Sequence, residues 1–252
     1  MELRIVRRRV PEWGTSYGPP GAGPFPAIML LHGSEGAWSG WSHRNAMLLA
    51  AHGFLAFPFA YSQGGNVWNA GSIIDTPLDR GVDALAALRG FPASAGRSVG
   101  LYGVSRGAEY ALLMTSLMAR EGLPGQPEAV AVHSPLDVIC GGFDARHFRD
   151  SGDPGWRAWD GATRAWTWRG RSDHLRPTTP IDIEAYEGPM MLSHGTRDQM
   201  WSVAMTRRLE ARLRGHGRTP RVHYFEGEDH VLGSDAENRH HGYLLDFLAE
   251  HL

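Results

Sequence analysis

Short apolar segments alternate with amphipathic segments along most of the chain. The apolar segments predict an edge strand at residues 3–10 and buried strands at 27–31, 54–59, 99–102, 129–132, 189–193 and 222–225. The amphipathic segments predict helices at 44–52, 79–89, 108–120, 203–214 and 237–251. The Gly- and Pro-rich stretch 11–26 is interpreted as a connection. Strands that alternate with helices indicate an α/β fold with a mostly parallel sheet and helices on both faces.

Residues 140–182 interrupt this alternation, and we call them the insertion. The insertion has no clear period, is rich in Gly, Pro and Asp, and contains four of the nine tryptophans: Trp156, Trp159, Trp166 and Trp168. Aromatic residues are scarce in disordered chains, and a long irregular segment in a compact domain is often a functional cap. We therefore predict a single domain over residues 1–252 with a cap-like insertion at about 140–182.

One turn carries a candidate nucleophile. Residues 103–107 read G-x-S-x-G and stand between a predicted strand and a predicted helix. In that context the glycines let strand and helix approach closely, and the turn exposes the Ser105 hydroxyl above the sheet. A second G-x-S-x-G, at 96–100, precedes the strand, so its Ser98 would lie at the opposite edge of the sheet. Ser105 is the predicted nucleophile.

A serine hydroxyl needs a base and a group that orients the base. Asp198 follows the predicted strand 189–193, and His230 follows the strand 222–225. The carboxyl ends of parallel strands meet at one edge of a sheet, where the chemistry of such folds belongs. The chain order Ser, Asp, His is the order found in α/β-hydrolases. We therefore predict a triad of Ser105, His230 and Asp198.

An oxyanion formed at Ser105 needs hydrogen-bond donors. The backbone N–H of Arg106 is one candidate. The other is that of Ser34, in the loop after the first buried strand, with that of Glu35 as the alternative. The tryptophans of the insertion suit an apolar acyl pocket. The candidate substrate-binding residues are Glu35, His133, Trp156, Trp159, Trp166, Trp168 and Trp201. A structural, hydrogen-bonded role is the alternative for His133, and His240 and His241 are interpreted as helix surface residues.

With these residues in place, the chain resembles the α/β-hydrolase superfamily over nearly its whole length. The dienelactone hydrolase family is similar in size, although its usual nucleophile is Cys. The catalytic domain of the acyl-CoA thioester hydrolase/bile acid-CoA:amino acid N-acyltransferase family is similar in more detail. The segments that carry this second resemblance are 32–36, 105–109, 166–170, 183–189 and 195–202.

The second resemblance implies hydrolysis or transfer of acyl thioesters, with Ser favouring hydrolysis and Cys favouring transfer to an amine. Members of that family usually carry an N-terminal immunoglobulin-like domain. The residues before Phe25 are too few to form one. We therefore do not expect that domain in this chain.

Composition adds no other chemistry. The formal net charge of −2 gives no indication of nucleic-acid or anionic-membrane binding. The lone Cys140 cannot form an internal disulfide and follows no strand-to-helix turn, so we predict that it is not catalytic. No Cys/His spacing suits zinc, and no phosphate loop opens a helix. We expect a cytoplasmic protein with no cofactor, metal, signal peptide or membrane span.

The sequence thus predicts a serine hydrolase that cleaves an ester or thioester of a small molecule through an acyl-enzyme. A dienelactone hydrolase-like or peptidase-like hydrolase is the alternative among enzymes. A degenerate hydrolase fold that acts as a small-molecule receptor is the alternative outside enzymes. The complete set of Ser105, Asp198 and His230 argues against the receptor.

Overall fold

The computed structural model describes residues 4–36, 40–62, 72–144 and 159–252, with the side chains of 159 and 160 outside this description. The strands of the main sheet are β1 Val6–Val10, β2 Gly14–Gly18, β3 Ala27–Leu31, β4 Leu55–Phe59, β5 Val99–Val104, β6 Val130–His133, β7 Met190–Gly195 and β8 Arg221–Phe225. The helices are α1 Gly40–Ala51, α2 Asp79–Gly90, α3 Arg106–Arg120, α4 Val203–Gly215 and α5 Ser234–His251. None of the described helices is both long and apolar enough to span a membrane.

The sheet has the order β1-β2-β4-β3-β5-β6-β7-β8. Strands β3 to β8 run parallel. Strands β1 and β2 form an antiparallel pair beside β4, with β1 as the outermost strand. The predicted mostly parallel sheet is therefore confirmed. The prediction missed β2, which lies inside the stretch interpreted as a connection. It forms because its backbone pairs with β1 in a hairpin, from Val6↔Gly18 to Val10↔Gly14, and with β4 at Tyr17↔Ala56; this pairing outweighs the poor strand propensity of its glycines.

The helices cover both faces of the sheet, as predicted. Leu85 of α2, Met114 of α3 and Leu209 of α4 belong to one buried apolar cluster. Leu49 of α1 and Leu244 of α5 belong to a second cluster on the other face. Both clusters are shut off from solvent, so the sheet is the middle layer of three and its strands are apolar on both sides.

The carboxyl ends of the central strands lie at one level. Leu31 at the end of β3 is in register with Gly103 of β5, and Val104 of β5 is in register with His133 of β6. Further along, Gly195 of β7 is in register with Phe225 of β8. The loops that follow these strands therefore share one edge of the sheet.

Part of the insertion is fastened to helix α3. The carboxylate Oε1 of Glu109, which is fully buried, accepts hydrogen bonds from the backbone N–H of Cys140 and from the indole Nε1 of Trp166, each at 2.8 Å. Residues 166–167 also form a short parallel bridge with 76–77. These contacts tie the described ends of the insertion to the helix that begins directly after Ser105.

Candidate active site

Ser105 stands at a sharp turn between β5 and α3. Its backbone has φ 55° and ψ −119°, which places a non-glycine residue in the left-handed half of the φ range. A Cβ at Gly103 would collide with the carbonyl of Gly107, and a Cβ at Gly107 would collide with the carbonyl of Leu31. Both glycines of the motif are therefore required by the close packing of α3 against the sheet. Ser98, by contrast, precedes β5 at the opposite edge.

Asp198 and His230 meet beyond the ends of β7 and β8. The Nδ1 of His230 lies 2.7 Å from Oδ2 of Asp198. The other oxygen, Oδ1, accepts the backbone N–H groups of Met200 and Trp201, each at 2.8 Å. Ser134 Oγ donates to Oδ2 at 3.0 Å. The carboxylate is thus held by fixed donors in an orientation that keeps the Nδ1–H of His230 directed at it.

A second histidine also binds this carboxylate. The Nε2 of the buried His194 lies 3.0 Å from Asp198 Oδ2 and 3.0 Å from the carbonyl of Trp201. Because both partners are acceptors, Nε2 carries the proton, and Nδ1 faces Thr206 Oγ1 at 2.6 Å. Burial alone would raise the pKa of Asp198, but the hydrogen bonds from His194 and His230 outweigh it and hold that pKa well below its usual value. Asp198 is therefore ionised at neutral pH.

The hydroxyl of Ser105 has a hydrogen bond that the sequence did not predict. Trp201 donates its indole Nε1–H to Ser105 Oγ at 2.9 Å. Within the described part of the chain, Ser105 forms no hydrogen bond to His230, although both side chains line the same cavity. The nucleophile position, the base and the acid thus lie at one edge of the sheet, with the serine turned toward Trp201.

That cavity has a volume of about 550 Å³ and lies between α1, α5 and the ends of the strands. Its lining residues are Glu35, Gly40, Trp41, Arg44, Tyr102, Val104, Ser105, His133, His230, Val231, Leu232, Glu237, His240 and His241. Rings and aliphatic side chains form most of its inner wall. Arg44 and Glu237 pair with each other at its rim. It is the size of a pocket for a small molecule.

Comparison with known proteins bears on this arrangement. Residues 142–252, which contain Asp198 and His230, match the prolyl oligopeptidase family. Mouse acyl-coenzyme A thioesterase 6 is 26% identical over 226 residues, which cover 86% of this chain and 51% of the mouse protein. Rat acyl-coenzyme A amino acid N-acyltransferase 2 is 28% identical over 235 residues, which cover 87% of this chain and 52% of the rat protein. The chain thus spans about half the length of these curated relatives.

Solved structures resemble the chain over its whole length. A putative dienelactone hydrolase from Klebsiella pneumoniae matches with a TM-score of 0.66 and 15% identity, covering 99% of both chains. The esterase Est2 from Thermogutta terrifontis, with butyrate bound, matches with a TM-score of 0.64 and 18% identity, covering 99% of this chain and 97% of the esterase. The chain belongs to the α/β-hydrolase superfamily.

Three of the predicted substrate-binding residues of this α/β hydrolase lie at the site. Glu35 and His133 line the cavity, and Trp201 contacts the nucleophile position. His133 also has the structural role offered as its alternative, because its Nδ1 lies 3.0 Å from Ser193 Oγ and its Nε2 3.4 Å from the carbonyl of His230. Burial lowers the pKa of His133 to about 3, so its ring is neutral at physiological pH.

Two tryptophans of the insertion do not lie where we expected. Trp166 is completely buried, with its ring centre 5.0 Å from Cζ of Arg106 and its Nε1–H on Glu109. Trp168 donates its Nε1–H to Glu121 at 2.7 Å. The expectation that these two indoles line the substrate pocket is wrong. Trp166 is bound to Glu109 of α3 and Trp168 to Glu121, the residue directly after that helix, and both pack the insertion against the core.

The structure does not test the predicted pocket role of the other two tryptophans of the insertion. Trp156 lies outside the described residues. Trp159 pairs through its backbone with Phe143, and its side chain lies outside the description. The cap-like role of the insertion therefore stays a prediction.

Sequence reasoning missed much of the cavity wall. His240, interpreted as a surface residue, is buried, and its Nε2 lies 3.0 Å from Ser193 Oγ. The interpretation was wrong because α5 turns this face toward the sheet rather than toward solvent. Trp41 and Tyr102 also line the wall, with ring centres 5.5 Å apart. The sequence did hold a signal for Tyr102, because this residue lies on the strand that leads into Ser105, three positions before it.

The predicted oxyanion donors lie close to the sharp turn that presents Ser105, which we call the elbow. A Cβ at Gly33 would lie 3.3 Å from Cβ of Ser105, so the loop after β3 passes directly beside the nucleophile position. The N–H of Gly33 is taken by Glu35 Oε1 at 2.9 Å, and Ser34 follows it. Arg106 is the first residue of α3, where the backbone N–H groups have no partner within the helix.

Cys140 lies apart from this constellation. It is not among the described residues that line the cavity. Burial raises the pKa of its thiol to about 11, so the thiolate that a cysteine nucleophile needs is scarce at neutral pH. In the ranges that the structure covers, no group of three or more His, Cys, Asp or Glu side chains is arranged to hold a metal ion.

Proposed function

We propose that this α/β hydrolase cleaves an ester or thioester through a covalent acyl-enzyme on Ser105. One observation carries the proposal. The strained elbow that presents Ser105 opens into the same cavity as His230, whose Nδ1 is 2.7 Å from the ionised Asp198. A nucleophile, a base and a group that orients the base are the parts that acyl transfer requires.

In the first half of the reaction, Ser105 Oγ forms a bond to the carbonyl carbon while its proton passes to His230 Nε2. Asp198 keeps the proton on Nδ1 and stabilises the charged ring that results. The bond from the carbonyl carbon to the alcohol or thiol then breaks, and the leaving group takes the proton from Nε2. For this transfer Ser105 Oγ and His230 Nε2 must come within hydrogen-bond distance of each other. A hydroxyl donates one hydrogen bond while it accepts another, so the contact with Trp201 is kept.

Water completes the second half. It adds to the acyl carbon while His230 Nε2 takes its proton, and the carbon–Oγ bond then breaks. The electron pair returns to Oγ with that proton, and the carboxylic acid leaves. In both halves we assign the oxyanion to the backbone N–H groups of Arg106 and Ser34, because the first N–H groups of α3 have no partner within the helix and the loop after β3 passes beside Ser105.

We assign the acyl group of the substrate to the cavity beside Ser105. Trp41, Tyr102 and Val104 offer apolar surface there, and a volume of about 550 Å³ accommodates a small or medium-length acyl group. In this assignment the cavity takes the place of Trp166 and Trp168 as the acyl pocket. The leaving group would then lie toward the rim and solvent. A coenzyme A thioester is a candidate substrate because acyl-coenzyme A thioesterases are among the relatives.

The test is labelling combined with turnover. A fluorophosphonate should label the protein once, at Ser105, and Ser105→Ala should abolish labelling and lower the hydrolysis of p-nitrophenyl butyrate and butyryl-CoA by about 10⁴-fold or more. Ser98→Ala, in the other G-x-S-x-G, is the matched control and should keep full activity. Labelling at Ser98, or turnover that survives in Ser105→Ala, would contradict the proposal. Ligand binding without labelling would favour the receptor.

A peptidase-like activity is the second candidate, supported by the match of residues 142–252 to the prolyl oligopeptidase family. The same triad would then cleave an amide, whose amine leaving group also takes its proton from His230. Aminoacyl-p-nitroanilides tested beside the esters distinguish the two candidates. A higher kcat/KM on the anilides than on butyryl-CoA would favour the peptidase.

A further inference from the structure

The indole of Trp201 is directed at the oxygen that would form the acyl-enzyme. Its Nε1 lies 2.9 Å from Ser105 Oγ, and the residue is 8% exposed. An indole N–H can only donate a hydrogen bond, so Oγ is the acceptor and keeps its own proton for another partner. In a site so poorly exposed to water, such a bond is electrostatically stronger than at the surface.

The position of this indole is set by the loop that also holds the acid. The backbone N–H of Trp201 binds Asp198 Oδ1 at 2.8 Å, and its carbonyl lies 3.0 Å from Nε2 of His194. Both contacts use the main chain, and the indole N–H is donated across the site to Ser105. The same residue therefore connects the nucleophile to the carboxylate through two independent parts of its structure.

From this geometry we propose that Trp201 is a catalytic residue whose indole N–H assists the release of the acyl group from Ser105. The inference rests on the acyl-enzyme of the proposed function. When the carbon–Oγ bond breaks in the second half of the reaction, the electron pair of that bond moves onto Oγ, which then takes the proton from His230. A donor on Oγ stabilises the negative charge that develops there.

The two halves of the reaction respond to this donor with opposite sign. In the first half, Oγ supplies an electron pair to the carbonyl carbon, and a hydrogen bond donated to it makes that pair less available. In the second half, Oγ is the leaving atom, and the same bond makes it a better one. Loss of the indole N–H should therefore slow deacylation while acylation is unchanged or faster.

Trp201→Phe tests this, because it removes the N–H, keeps an aromatic ring and leaves both backbone contacts of the loop intact. With p-nitrophenyl butyrate, we expect acyl-enzyme decay, followed by intact mass after rapid quenching, to slow by roughly 10-fold. The value of kcat/KM, which reports acylation, should stay within about 3-fold or rise. Accumulation of acyl-enzyme should then lower KM together with kcat.

The matched control is Trp168→Phe, which removes an indole N–H from Glu121 outside the cavity. It should lower stability without changing either rate. If Trp201→Phe fails to fold, β-(3-benzothienyl)alanine at position 201 keeps the bicyclic shape and replaces the N–H by sulfur. Unchanged deacylation, or an equal loss in both halves, would overturn the inference and return Trp201 to a packing role. A wild-type protein that forms no acyl-enzyme would overturn the proposed function as well.

Discussion

The backbone of Ser105 is held in a conformation that residues other than glycine rarely adopt. Its φ of 55° with ψ of −119° costs on the order of 1–3 kcal/mol for a residue with a Cβ. The surrounding structure imposes this cost, since α3 packs so closely on the sheet that Gly103 and Gly107 have no room for side chains. The strain positions the Ser105 hydroxyl, so function and stability are in conflict at this residue.

This conflict predicts a difference between two inactive variants. Ser105→Ala keeps the strained φ, whereas Ser105→Gly relieves it because glycine adopts positive φ readily. We expect Ser105→Gly to be more stable than Ser105→Ala by about 1 kcal/mol, after allowing for the greater entropy of glycine in the unfolded chain. Urea unfolding of both variants measures this difference. Equal midpoints, or a more stable Ala variant, would contradict the idea of a strained elbow.

At the scale of residues, the sequence could reveal only those site residues that a local sequence pattern marks. Ser105, Asp198 and His230 each follow a recognisable strand, so their meeting at one edge could be predicted from the alternation of elements. The bond from Trp201 to Ser105 joins residues far apart in the chain and depends on the path of one loop. His194 was overlooked because a histidine inside a buried strand has no motif of its own.

At the scale of elements, the contact between α3 and β3 explains why the second glycine of the motif is needed. A Cβ at Gly107 would meet the backbone carbonyls of Leu31 and His32, and backbone cannot move aside as a flexible side chain can. The helix would have to shift away from the sheet. That shift would also displace Ser105 at the start of the helix.

We therefore expect Gly107→Ala to lower the free energy of unfolding by about 3 kcal/mol, at the upper end of the range for overpacking. Gly242→Ala is the matched control, since a Cβ on this exposed residue of α5 meets no atom within 4 Å. Better helix propensity should make that variant more stable by about 1 kcal/mol. Urea unfolding measures both changes. If the two substitutions had the same sign, steric contact at Gly107 would not be the reason for the glycine.

Elements whose stability comes from distant partners were the hardest to predict. Strand β2 has few strand-forming residues and is stabilised by its hairpin with β1 and by the distant strand β4, which it meets at Tyr17↔Ala56. In the insertion, the four tryptophans suggested a substrate pocket. Composition, however, does not show which way a side chain points. Glu109, fully buried in α3, binds the indole of Trp166 across 57 positions in sequence. The available signal for such an anchor was a carboxylate in a helix whose other residues, apart from its partner Arg106, are mostly apolar.

At the scale of the whole molecule, three of the buried histidines in the described part of the chain have a lowered pKa and are neutral rings beside the central sheet. Burial lowers the pKa of His32 to about 4 and that of His133 to about 3, and it lowers the pKa of His240 well below its usual value. His32 stacks on Tyr61 with ring centres 4.0 Å apart, and His240 packs 5.0 Å from His133. These rings join the strand ends to α5 and to the loops around the site. Their protonation therefore concerns the fold as a whole.

The consequence is a pH-dependent stability with a definite sign. A histidine whose pKa is lower in the folded protein than the unfolded value of about 6.5 binds more protons in the unfolded chain. The free energy of unfolding should therefore fall as the pH drops below about 6.5, by up to about 1.4 kcal/mol per pH unit for each such histidine. Urea unfolding between about pH 7 and pH 5, above the range in which carboxylates with ordinary pKa values titrate, measures this slope.

His32→Asn isolates one contribution to that slope. The variant should be less stable than the wild type at pH 7, because it loses the ring stacked on Tyr61. Its stability should nevertheless fall less steeply with decreasing pH, because one proton fewer is taken up on unfolding. The two curves should therefore approach each other toward pH 5. Parallel curves would mean that His32 titrates alike in the folded and unfolded states, and the acid sensitivity would then have to come from other groups.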